Sequence, residues 1–179
     1  PGDISKTFSL EILGDQYPEA NEQVLVTVSD PVGATLLRSN AFGTILNDDA
    51  PRTQEVVINR GERQRSVIDE VTVRFDSEIE FDETDGPAFQ IRTRDGQANV
   101  NFSRTISQVD GETAVRFRFE SGPSVDERGN STATLADGEY ELLVLGSRIS
   151  IGGISLDGDQ DGAAGGDYRF ADAFFRNYG

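Results

Sequence analysis

Short runs in which apolar and polar residues alternate, cut by Asp-Gly pairs, constrain this chain more than any other feature. Val71, Val73 and Phe75 alternate with Thr72, Arg74 and Asp76, and Val115, Phe117 and Phe119 with Arg116, Arg118 and Glu120. Tyr140, Leu142 and Val144 repeat the pattern. A period of two puts one side of each run on a core and the other in water, which describes strands rather than helices. Asp-Gly pairs at 85–86, 95–96, 110–111 and 137–138 fall between the runs, where a hairpin needs positive φ. Runs of this kind recur about every 8–12 residues, the spacing of sandwiches and barrels. The expected class is all-β: two tandem antiparallel β-sandwich units.

The units are expected to meet near residue 50. Asn47, Asp48, Asp49 and Pro51 stop a strand, and Val56-Val57-Ile58 starts another. Residues 1–50 offer only three strand candidates, at 7–13, 23–28 and 41–46, too few to close a sandwich alone. Residues 51–179 offer about nine, enough for a complete one. The first unit is therefore read as incomplete, and Pro1-Gly2-Asp3 as the interior of a longer protein.

Composition narrows the chemistry. Thirty-two acidic residues against sixteen basic ones give a net charge of −16. Such a surface repels phosphate backbones and anionic lipid heads, so neither nucleic acid nor membrane insertion is expected. No run of 18 apolar residues is present to span a bilayer. The chain has no His, Cys, Met or Trp. That excludes disulfides and any nucleophilic triad built on His or Cys. Oxygen ligands remain, and those suit Ca²⁺ best. Paired glutamates at 78/80 and 139/141 each share one strand face and are read as solvated, not as a glycosidase dyad. Arg92, Arg94, Arg116 and Arg118 alternate along strands and are expected to offset acids across the sheet.

The pieces Asp15-x-x-x-Glu19-x-x-Glu22, Val24-Leu25-Val26-Thr27-Val28, Pro31-x-Gly33 and Gly43-Thr44-Ile45-Leu46-Asn47-Asp48-Asp49 follow one another in order. In that order they resemble the C-terminal half of a Calx-beta domain. The resemblance covers about a quarter of the chain. It implies calcium at one tip of a sandwich, with carboxylates from Asp15, Glu19 and Glu22 in a turn and from Asp48 and Asp49 at the last strand's end. Asn47 departs from an all-Asp triplet and brings only a neutral carbonyl. Further ligands of the family lie on strands that would precede residue 1. Upstream sequence or another subunit would have to supply those strands.

Residues 52–179 resemble the bacterial Ig-like sandwich modules that repeat in large secreted surface proteins. The residues that carry this are Val56-Val57-Ile58-Asn59, Gln64-Arg65-Ser66, the run from Val71 to Phe75, Ala88-Phe89-x-Ile91 and Leu135-x-Asp137-Gly138-x-Tyr140-x-Leu142. They are core and turn positions, so the resemblance speaks to fold.

The sharpest local signal is Asp157-Gly158-Asp159-Gln160-Asp161-Gly162. Its D-x-D-x-D-G spacing opens an EF-hand-type loop, in which alternate carboxylates converge on one ion and Gly at position six permits the turn. Position twelve is Tyr168 rather than Glu, so Asp167 is the candidate to close the shell. The alternative is a Gly/Asp loop that holds no ion. The aromatic stretch from Tyr168 to Tyr178 reads as a closing strand, or else as a stacking platform for sugars.

Together these features predict a non-enzymatic, calcium-binding structural or adhesive segment of a secreted bacterial surface protein. Its location would be extracellular, at the cell surface. Its partners would be further copies of itself, assembling by strand complementation, or neighbouring modules, with a surface glycan as another candidate. The competing expectation is a carbohydrate-binding accessory module of a large secreted hydrolase.

Overall fold

A computed structural model describes residues 4–15, 17–19, 21–128, 132–172 and 174–177, with the side chains of residues 128 and 132 left out. Fifteen strands are found among them and no α-helix. They are β1 (Glu22–Thr27), β2 (Asn40–Ile45), β3 (Thr53–Ile58), β4 (Glu70–Phe75), β5 (Glu80–Phe81), β6 (Phe89–Thr93), β7 (Phe102–Val109) and β8 (Glu112–Phe119). Then come β9 (Val125–Arg128), β10 (Thr132–Leu135), β11 (Gly138–Val144), β12 (Ile149–Ile151), β13 (Ile154–Ser155), β14 (Tyr168–Phe170) and β15 (Phe175–Arg176). All ladders between strands are antiparallel.

The larger sheet runs β3-β4-β8-β7. Its alternation is the one legible in the sequence: Val71, Val73, Phe75, Val115 and Phe117 are fully buried. Thr72 and Arg116 pair on the outer face. The Asp110-Gly111 turn joins β7 to β8 with φ of 53° and 83°, the doubly left-handed geometry whose twist suits a two-residue hairpin. The second sheet is centred on β11, which pairs with β6 and β14 and, at its start, with β15. Its inward residues, Tyr140, Leu142, Val144, Phe89 and Ile91, face the first sheet. Phe89 seals the two layers, with its ring centre 5.0 Å from Phe117 and 6.3 Å from Phe75. Two small sheets, β13-β12-β5 and β10-β9, complete the set.

Tyr140 makes a tyrosine corner. Its hydroxyl donates to the Ala136 carbonyl four residues upstream at 2.8 Å, an arrangement common in immunoglobulin-like sandwiches. Burial pushes the phenol up to about 12, opposed by Arg176 and reinforced by Asp126 and Asp137. Of the aromatic C-terminal stretch, Phe174 belongs to the core and Tyr168 and Phe170 pack against it, while Phe175 is exposed. Phe174 is fully buried, 5.7 Å from Tyr140 and 6.2 Å from Phe170 between ring centres. Tyr178 lies outside the described residues.

Two sequence expectations need correction. The run at 7–13 alternates like a strand but forms none, because no neighbouring strand offers it a hydrogen-bonding ladder. Phe8, Leu10 and Ile12 there are 63%, 56% and 60% exposed. Glu141 is not solvated: it is 1% exposed, clamped between Arg92 on β6 and Arg169 on β14. Burial raises its pKa, but the hydrogen bonds from the two guanidiniums outweigh that and hold it below the ordinary glutamate value. The alternating arginines do offset acids across the sheets: Arg94 approaches Glu139, and Arg116 and Arg118 approach Glu70.

Candidate metal centre

The Asp157 loop is folded around its first carboxylate. Backbone bonds pin its ends: Asp157 N donates to Pro51 O, Gly158 N to Gly165 O, and Gly165 N to Leu156 O, each at 2.9 Å. Asp157 itself is fully buried. Its Oδ1 accepts from Asp161 N at 3.1 Å, and its Oδ2 from Gly162 N at 3.1 Å. Arg52 Nε donates to the same Oδ2 at 2.9 Å. Gln160 takes a left-handed φ of 59°, which turns its side chain to donate to Thr53 O at 3.0 Å. The loop therefore holds the three consecutive residues 51–53.

One carboxylate oxygen from each of Asp157, Asp159 and Asp161 lies within 4.8 Å of the other two. Asp159 and Asp161 are exposed, so an ion would enter from solvent with the buried Asp157 as its floor. Asp161 Oδ1 also accepts from Ala163 N at 2.9 Å. Gly166 gives Asp159 its place: with φ at 69°, a Cβ there would stand 2.6 Å from the Asp159 Cγ. Three carboxylates against one guanidinium leave the cluster short of positive charge. Its donors are all hard oxygens, with lone pairs remaining beyond the hydrogen bonds they accept. A hard divalent cation fits that set.

The other predicted ligands are placed differently. Asp167 is not part of that group of three, and its Oδ1 accepts from Gly146 N at 2.9 Å. Tyr168, at position twelve, is half-buried on β14, and burial raises its pKa. Asp15, Glu19, Glu22, Asp48 and Asp49 do line one cleft of about 350 Å³, beside Ile12 and Tyr17. Asp15 Oδ1 is occupied in a local turn, accepting from Tyr17 N at 2.8 Å. Among the described residues these five form no group of three with oxygens within 4.8 Å of one another. Asn47 stitches the cleft instead: its carbonyl accepts from Glu19 N and its amide donates to Asp49 O, both at 3.0 Å. Its backbone N–H donates to Asn21 Oδ1 at 2.8 Å.

Sequence reasoning missed Arg52, the countercharge of Asp157. The two are 105 positions apart, and no local pattern connects them. It also missed Gln160 and Gly166 as the residues that shape the loop. A glycine in a Gly-rich stretch carries no signal for which position needs a left-handed φ. No helix among the described residues is long and apolar enough to cross a membrane. Comparison with protein-family models, with curated proteins and with solved structures finds no match to this chain.

Proposed function

We propose that this chain is a non-enzymatic, calcium-stiffened structural or adhesive segment of a secreted bacterial surface protein, a part of a fibre, layer or stalk. The observation that carries the reading is the convergence of Asp157, Asp159 and Asp161 in a loop already folded around a buried carboxylate. A cation bound there neutralises carboxylates that otherwise repel, and it fastens the loop to residues 51–53, where the β1–β2 hairpin hands over to the sandwich. Binding only the folded state at a hundredfold excess over Kd adds about 2.7 kcal/mol. The resemblance of residues 7–49 to half a Calx-beta domain remains part of the proposal. The shared cleft of Asp15, Glu19, Glu22, Asp48 and Asp49 supports it as a second, looser site. The exposed side chains of Phe8, Leu10, Ile12 and Phe42 support partners in the form of other copies or neighbouring modules.

The test is a thermal melt in millimolar CaCl₂ and again in EGTA, with Asp157→Asn and Asp161→Asn alongside. At about 2–4 °C per kcal/mol for a chain of this size, saturating calcium should raise the midpoint by about 5–10 °C. Both variants should lose most of that rise. An equal rise in the variants, or none in the parent chain, overturns the reading.

A further inference from the structure

Between β6 and β7 lies an open groove of about 450 Å³, within the size range of small-ligand clefts, that shares no lining residue with the acidic clusters described above. Gln90, Asn99, Asn101 and Glu120 line it, with Pro87 and Phe102 as apolar wall. Phe102 is half-buried, and its ring meets that of Phe117 in a T-shaped pair, centres 5.0 Å apart and planes at 82°. The polar side chains are not consumed by the fold. Gln90, Asn99 and Glu120 make no side-chain hydrogen bond or ion pair among the described residues. Asn101 uses only its Nδ2, which donates to Ser121 O at 3.1 Å and leaves its carbonyl oxygen to accept.

This set has a definite chemistry. Carboxamides present donors and acceptors side by side, and the carboxylate accepts from a hydroxyl with the strength of a charged partner. No cation lines the groove, and the chain carries a net charge of −16, so a phosphate or carboxylate ligand would be repelled. The fitting ligand is neutral, carries neighbouring hydroxyls that both donate and accept, and has a flat C–H face to lay on a ring. We propose that the groove binds a neutral oligosaccharide, with vicinal hydroxyls on Gln90, Asn99, Asn101 and Glu120 and one sugar face on Phe102. This assignment is independent of the cation reading.

The experiment is an NMR titration of the whole ¹⁵N-labelled chain in EGTA. The probes are neutral tetrasaccharides (gluco-, xylo-, manno- and N-acetylglucosamine-based), with tetragalacturonate as the charged comparison. At least one neutral probe should shift the side-chain amides of Gln90, Asn99 and Asn101 saturably, with a dissociation constant of about 0.1–1 mM. The Asn99→Ala/Glu120→Ala double variant, whose spectrum checks that the fold is kept, should bind that probe at least about tenfold more weakly. Three results overturn the proposal: no saturable shift up to about 10 mM of any neutral probe, shifts elsewhere that the double variant leaves unchanged, or tighter binding of tetragalacturonate.

Discussion

Tyr140 shows how one residue couples the fold to pH. Its ring belongs to the core while its hydroxyl reaches the Ala136 carbonyl, and burial puts the cost on the phenolate. The folded-state pKa, about 12, lies above that of an exposed tyrosine near 10. Below 10 both states keep the proton and stability is unaffected. Above 10 only the unfolded chain releases it, so stability falls as pH rises towards 12. Two units correspond to about 3 kcal/mol. Tyr140→Phe should cost about 1 kcal/mol at pH 7 for the lost hydrogen bond, yet flatten the alkaline decline. Urea denaturation at pH 7 and pH 11 checks both. An unchanged alkaline slope in the variant would assign the sensitivity to another group. The same residue was legible in the sequence as a core position, because its alternation with Glu139 and Glu141 is local. Its hydrogen bond was not, because a turn had to bring residue 136 back over the ring.

At the scale of elements, Glu141 ties three strands together. It sits on β11 with Arg92 of β6 on one side and Arg169 of β14 on the other, so its carboxylate is the polar bolt of the second sheet. Removing both arginines strands a buried charge, whereas removing the carboxylate leaves two half-exposed guanidiniums that water can serve. The Arg92→Ala/Arg169→Ala variant should therefore lose about 3 kcal/mol at pH 7, and Glu141→Leu clearly less. Because the folded pKa of Glu141 is depressed, its contribution is present above the unfolded value near 4.5 and is lost as pH falls through the folded one. The gap between the two variants should accordingly close in acid, as followed by thermal melts between pH 7 and pH 3. Equal losses at pH 7 would sink this account. Alternation alone placed Glu141 on the outer face correctly. It could not show that neighbouring strands would carry arginines in register and cover it.

For the whole molecule, the sandwich from β3 to β15 buries a continuous core, whereas the β1–β2 hairpin pairs with no other strand among the described residues, half-buries Val24, Val26 and Ile45, and shows Leu25 and Phe42 to solvent. Amide exchange should therefore be slow across β4, β8 and β11 and fast over residues 4–13. Light scattering should show concentration-dependent association that Phe8→Ser/Phe42→Ser weakens. A chain that stays monomeric with slow exchange at 4–13 would remove the assembly part of the proposed function. By itself the sequence determined the all-β class, the inward residues of the long strands, the hairpin at Asp110-Gly111 and the acidic loop at 157–161. Each of these rests on a period of two, a backbone angle or a spacing within a few residues. Only the tertiary structure decided which strand-like run found a neighbour, which acid was buried against arginines, that Arg52 meets Asp157, and that four amide and carboxylate side chains share one groove. Those outcomes depend on contacts between distant segments, and a ladder, an ion pair or a cleft exists only once its second side has arrived.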